Sequence, residues 1–285
     1  MRTRHVIALV AAAFFCAPAH ARVVEETFEL PVEVKDIHGK AHRHNFTVTV
    51  FRDEERAKSP FLVISHGRGD AEARARLGRS RYVANARYFV SKGFAVFVPT
   101  RVGYGMSRGY DVENSGSCSQ REFAPAFEAG AVQVGAVIRY AKTLPFVEPS
   151  RGVLVGQSVG GAISLALAAK NIEGVLGAIN FAGGSGGDPD LRPEDPCSET
   201  ILRRVFASYG AKAKIPTLWL YSENDRWWGK DQPHAWFKAF RAHGGRGEFI
   251  QLPAHGDDGH ASFTRNPEAW KPAVEKFLAG VGFAK

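Results

Sequence analysis

From residue 61 onward, short continuous apolar runs are separated by longer amphipathic stretches, and that alternation limits the chain to few architectures. The runs are residues 61–65, 94–99, 152–155, 175–181, 217–221 and 248–252. Strands that are apolar at nearly every position suit a parallel sheet covered on both faces. Between them, residues 81–91, 122–143, 159–170, 232–242 and 267–279 are helix candidates. Strand and helix in turn give an α/β fold with a mostly parallel, doubly wound sheet. Ahead of it, residues 27–35 and 45–52 alternate apolar and polar side chains around Asp36-Ile37-His38-Gly39, the pattern of an antiparallel N-terminal hairpin. In such sheets ligands bind beyond the carboxyl ends of the strands, so the loops that follow strands are where chemistry is expected.

The first 21 residues read differently. Arg2 and Arg4 precede an almost wholly apolar stretch, residues 6–17, and Ala19-His20-Ala21 supplies the small-x-small pattern cleaved by signal peptidase. A dozen apolar residues cannot cross a hydrocarbon core that needs about 20. The expectation is a signal peptide over residues 1–21 and a single domain over residues 22–285, exported to the periplasm or beyond and without stable membrane insertion after cleavage. Loss of Arg2 and Arg4 lowers the formal charge from +8 to +6. The remaining basic residues are scattered, which excludes the footprint of a nucleic-acid binder. Export leaves Cys118 and Cys197 in an oxidising compartment, where one disulfide is the natural pairing. They lie in or beside two long strand-end loops, residues 101–121 and 183–196.

Gly156-Gln157-Ser158-Val159-Gly160 is a G-x-S-x-G placed directly between a strand and a helix. That is the setting of a nucleophile elbow, in which a sharp turn lifts the serine above the sheet and glycine lets strand and helix approach closely. A serine hydroxyl needs a base to take its proton. His255 and His260 both follow the last strand; His260 is favoured because Gly256-Asp257-Asp258-Gly259 gives the loop room to turn back. The acid belongs at the exit of the preceding strand, Ser222-Glu223-Asn224-Asp225, with Asp225 preferred, Glu223 in reserve and Asp231 read as a helix N-cap. Its work is to hold the imidazole tautomer and stabilise the imidazolium. Oxyanion donors are expected from the backbone N–H of Val159 and from Ser65-His66-Gly67-Arg68-Gly69-Asp70, with Arg68 ahead of Gly67.

Taken together, His66-Gly67 after the first parallel strand, the elbow with its second glycine Gly161, the Glu223-Asn224-Asp225 exit and the loop ending in His260 resemble the dienelactone hydrolase-like branch of the α/β-hydrolase superfamily. The likeness runs from about residue 61 to the end. It implies an α/β-hydrolase fold, a triad of Ser158, Asp225 and His260, and oxyanion donors at Arg68 and Val159. True dienelactone hydrolases are similar to this chain except in two respects: they use a cysteine nucleophile and are cytosolic. General carboxylic-ester hydrolysis is therefore the activity to carry over.

Trp227 and Trp228 follow the acid, and Tyr104, Met106 and Tyr110 lie in a neighbouring strand-end loop, so an aromatic-walled pocket is expected. His38, His42 and His44 share the hairpin, but no cysteine or acid is seen to complete a metal site. The sequence has no phosphate loop and no dinucleotide fingerprint, so it implies no cofactor. The expected partner is a small-molecule ester. The competing readings are a serine peptidase or amidase of the prolyl-oligopeptidase type and a non-catalytic binding module on the same fold.

Overall fold

The computed structural model describes residues 22–283; the expected signal peptide, residues 1–21, lies outside the described residues. The hairpin expected from alternation is formed by β1 (Val23–Lys35) and β2 (Ala41–Asp53), both longer than predicted. Its turn closes on Asp36, whose Oδ1 accepts the N–H groups of His38 and Lys40 at 2.9 and 3.0 Å, while Gly39 takes a φ of 78°. The strands that follow are β3 (Ser59–Ser65), β4 (Ala95–Pro99), β5 (Val147–Gln157), β6 (Val175–Phe181), β7 (Thr217–Ser222) and β8 (Gly247–Leu252).

The described strands form one eight-stranded sheet in the order β1-β2-β4-β3-β5-β6-β7-β8. β1 pairs antiparallel with β2, and β2 with β4; every pairing from β4 to β8 is parallel. Among the described residues β1 therefore lies at one edge of the sheet. Its Leu30, Val32 and Val34 are buried, while Glu29, Pro31, Glu33 and Lys35 face outward.

Helices cover both faces. They are α1 (Ala71–Arg76), α2 (Val83–Ser91), α3 (Phe123–Ala141), α4 (Val159–Ala168), α5 (Glu199–Gly210), α6 (Asp231–Ala242), α7 (Ser262–Arg265) and α8 (Pro267–Gly280). The continuous apolar runs are explained by two cores. Phe61, Val63 and Phe97 pack with α3 to α6 on one face, while Leu62, Ile64, Val96 and Val98 pack with α2 and α8 on the other.

Three differences from the sequence reading have local causes. α2 starts at Val83, not at residue 81, because Tyr82 adopts a left-handed conformation with φ 47°. α1 buries none of its residues and so carries no apolar period; it is started by Asp70, whose carboxylate accepts the Ala73 N–H at 2.7 Å. α5 does carry a period, with Leu202, Val205 and Phe206 buried, but it lies between the loop at residues 183–196 and the run at 217–221, in a stretch given no element.

The chain runs from β3 outward to β4 and then returns across β3 to β5, so the winding direction reverses between β3 and β5. Their carboxyl ends open a crevice at this switch point. Residues 66–68 leave the end of β3 and Ser158 leaves the end of β5, which brings the two segments side by side.

Candidate active site

Ser158 joins β5 directly to α4 with φ 55° and ψ −126°, a conformation costly for a residue with a Cβ. The surroundings enforce it. Ser158 N–H donates to Phe181 O at 2.9 Å, and Ser158 O accepts from Gly161, Ala162 and Gly184. A Cβ on Gly156 would stand 2.0 Å from Gly160 O, and one on Gly160 would stand 2.0 Å from Ser65 O. Those two glycines are thus required by close backbone approach.

Asp225 is fully buried in the turn after β7. Its Oδ1 accepts the N–H groups of Trp227 and Trp228 at 2.9 and 3.3 Å, which fixes the carboxylate. His260 Nδ1 lies 3.1 and 3.0 Å from the two Asp225 oxygens. A carboxylate only accepts, so the proton belongs on Nδ1 and Nε2 is left with its lone pair. The ring is further confined by Trp227, stacked at 4.9 Å, and by Trp228, edge-on at 5.4 Å. Asp258 Oδ1 accepts the His260 N–H at 2.9 Å and so holds the loop backbone.

The alternatives fall elsewhere. Glu223 is exposed. His255 has its N–H bound by Asn224 Oδ1 at 3.0 Å, right at the start of the loop. Asp231 lies in the first turn of α6, one residue past the N-cap position held by Lys230.

Ser158 lies between two cavities. One, of about 510 Å³, is lined by Ser158, His260, Gln157, Tyr82, Tyr104 and Trp227, with Arg68, Arg74, Arg79 and Arg81 along its wall. The other, of about 450 Å³, is lined by Ser158, Val159, Ser185, Arg121, Trp227 and Trp228. Val159 opens α4, so its N–H has no acceptor within the helix. The Tyr82 hydroxyl, whose pKa burial pushes up to about 12, donates to Gln157 Oε1 at 3.0 Å. Gly67 and Arg68 both line the larger cavity beside Ser158, and Arg68 also lines the smaller one. Met106 and Tyr110 depart from expectation: both are exposed outside these cavities, and Tyr110 stacks on His42 at 4.3 Å.

Beneath the site lies a polar network that sequence reading missed. Arg101 and Glu113 form a fully buried ion pair at 2.6 Å, and Glu113 also accepts the Tyr104 hydroxyl at 2.7 Å. His66 is buried with Nδ1 donating to Gly67 O and Nε2 accepting the Arg101 N–H. Burial, and then the charge of Arg101, hold its pKa well below the ordinary imidazole value. Burial opposes the charge of Arg68, yet hydrogen bonds to Asp111 raise its pKa above the usual value. Residues 101–113 gave no motif, and with Arg108 and Asp111 in the same loop no local signal singles out Arg101 and Glu113 as partners.

Cys118 and Cys197 form the expected disulfide, with Cα atoms 5.2 Å apart. It joins the loop after β4 to the segment before α5. Cys197 N–H donates to Gly186 O at 2.9 Å, so the bridge braces a wall of the smaller cavity. Among the described residues no helix is long and apolar enough to cross a membrane.

Comparison with known proteins places this geometry. The profile of the dienelactone hydrolase family matches residues 79–279. A Klebsiella pneumoniae crystal structure provisionally designated a dienelactone hydrolase superposes with a TM-score of 0.58 at 15% identity, over 90% of this chain and 98% of its own. Est1E from Butyrivibrio proteoclasticus superposes with a TM-score of 0.55 at 18% identity, over 88% and 98%. At these identities the likeness speaks for the fold. The quorum-quenching protein AidA of Acinetobacter baumannii is 28% identical over 146 residues, half of this chain; the match spans 43% of that protein's length.

Proposed function

We propose, from the premise that this chain belongs to the dienelactone hydrolase family, that it is an exported serine hydrolase cleaving small carboxylic esters through an acyl-enzyme on Ser158. The observation that carries the reading is the convergence of three groups. A strained serine lines the same cavity as His260, and Nδ1 of that ring is tied to the buried Asp225.

In this mechanism His260 Nε2 takes the proton from Ser158 Oγ as the oxygen attacks the ester carbonyl. The tetrahedral oxyanion is received by the N–H groups of Arg68 and Val159. His260 then gives its proton to the leaving alcohol, so the alcohol is assigned to the cavity that His260 lines. The acyl group is assigned to the cavity beside Val159, Trp227 and Trp228. Water activated by the same histidine releases the acid. No step calls on a metal or cofactor. Esters are placed ahead of amides because an ester carbonyl is less stabilised by resonance than an amide and its alcohol oxygen is expelled more readily than an amide nitrogen. Export is supported by the leader-like residues 1–21 and by the disulfide, a bond suited to an oxidising compartment. Residues 22–285 are assigned to a single catalytic domain.

The test is labelling with a fluorophosphonate, alongside turnover of an ester panel varied in acyl length and of a dipeptide amide. Labelling and ester turnover that vanish together in Ser158→Ala support the reading. An unlabelled wild-type protein without ester turnover would instead support a binding module, and preference for the dipeptide amide a peptidase.

A further inference from the structure

We propose that the loop from Arg101 to Glu113 is a clamp that positions the oxyanion donor Arg68, with Arg101, Tyr104, Asp111 and Glu113 as positioning residues. The inference rests on the hydrolase reading above and assigns work to a network that reading leaves unused.

The need for a clamp comes from where β3 stops. Its ladder to β5 ends with Ser65 opposite Gly156. Residues 66–68 continue beyond it without a strand partner, yet they must place an N–H within about 2.7–3.1 Å of an oxyanion. Gly67 cannot supply the anchorage, because even a Cβ there would stand 3.1 Å from Ser158 Cβ. The holds fall on the residues at either side.

On the near side, Arg101 Nη1 donates to Ser65 Oγ and to His66 O, both at 2.9 Å, and Arg101 N–H donates to His66 Nε2 at 3.1 Å. The Tyr104 ring meets the His66 ring edge-on at 4.5 Å. On the far side, the Arg68 guanidinium forms a two-pronged pair with Asp111 at 2.7 and 2.5 Å, and its Nη1 also donates to the Tyr104 hydroxyl at 3.3 Å. Glu113 joins the two sides. It accepts from Arg101 Nε at 2.6 Å, from Arg101 Nη2 at 3.0 Å, from the Tyr104 hydroxyl at 2.7 Å and from Gln133 Nε2 at 3.3 Å. Gln133 Oε1 in turn accepts Val102 N–H at 2.6 Å, fixing the start of the loop to α3. A buried ion pair is a poor source of net stability, because desolvation consumes most of its attraction. Its directional hydrogen bonds, by contrast, set positions to tenths of an ångström.

The test compares p-nitrophenyl acetate with p-nitrophenyl thionoacetate, whose sulfur is a larger and weaker acceptor for the same donors. Rates are expressed per site titrated with fluorophosphonate in wild type, Tyr104→Phe, Asp111→Asn and Glu113→Gln. Tyr104→Phe and Asp111→Asn are the lighter changes, and they keep the test decisive should Glu113→Gln not fold. A displaced donor lowers kcat on the ester by on the order of 10-fold, with KM within twofold. It also narrows the ester-to-thionoester ratio by a similar factor. The ratio is blind to the amount of folded enzyme, so a merely structural role would leave it unmoved. A wild-type ratio in both light variants, with or without a fall in kcat, overturns the clamp. A wild type that neither labels nor turns over ester overturns the functional reading itself.

Discussion

His260 Nδ1 sits 3.0 Å from Asp225 Oδ2 and 3.1 Å from Oδ1, so one ring nitrogen is shared by both oxygens of a carboxylate that has no exposed surface. Asp225→Asn replaces one acceptor with a donor and favours the opposite tautomer. It should lower kcat on an activated ester by about 10³ to 10⁴-fold with little change in KM. A loss of under tenfold in steady-state assays would remove Asp225 from the mechanism.

The two histidines of the last loop separate cleanly. His260→Ala should remove nearly all turnover, whereas His255→Ala should keep kcat within about threefold, because the backbone of His255 and not its ring is what Asn224 holds. Parallel kinetics on both variants decide the matter, and a dead His255 variant beside an active His260 variant would reverse the assignment.

Glycine at the elbow is fixed by space. Gly156→Ala places a methyl 2.0 Å from Gly160 O, a backbone atom that cannot swing away. The variant should lose about 3 kcal/mol or more, read by urea unfolding, and should not be recovered in active form. Gly67→Ala makes its tightest contact with Ser158 Cβ, at 3.1 Å, and should fold while losing activity.

Reduction of the Cys118–Cys197 bridge, or a Cys118→Ser and Cys197→Ser double variant, should lower unfolding free energy by about 2–4 kcal/mol. Because Cys197 N–H holds Gly186 at the cavity wall, KM for longer acyl chains should rise more than KM for acetate. Equal shifts for both would detach the bridge from acyl binding.

His66 gives stability a pH dependence of definite sign. Its folded-state pKa lies well below 6.5, so above about pH 6.5 it is neutral in both states and costs nothing. As pH falls below that, the unfolded chain takes up a proton that the folded one refuses. Stability should then drop by about 1.4 kcal/mol per pH unit toward the depressed folded value. Urea unfolding from pH 8 to 5 should show this slope in wild type, and a His66→Asn variant should lack that part of it.

What could be read from sequence was whatever local chemistry dictates. The strands β3 to β7 announce themselves because two-sided burial demands apolar runs, β8 more faintly as an edge strand with Glu248 exposed and only Leu252 buried, and Ser158 is visible because the elbow needs glycine within a five-residue window. Asp225 and His260 were legible from the order of strands and the glycines flanking the loop. The Arg101–Glu113 pair was not, since nothing local marks two loop charges as buried partners. α1 was hidden for the opposite reason: an exposed helix that buries nothing has no periodicity to find. Pocket membership was half legible. Trp227, Trp228 and Tyr104 line the cavities, but Met106 and Tyr110 sit on an outward bend of the same loop whose direction only tertiary contacts define.

The outermost strand has a bearing on what the molecule avoids. A pleated segment with one side unpaired is a template on which another chain can polymerise, and β1 spans 13 residues. Pro31, midway along, offers no N–H to an incoming strand. Glu25, Glu26 and Glu33 are held in pairs with Arg79 and Arg81, Arg52 and Arg43, a row of charged side chains that an incoming strand would have to crowd or displace. Proline and this charged row together make the β1 border unattractive for self-association, so growth of the sheet by addition of further copies is discouraged there.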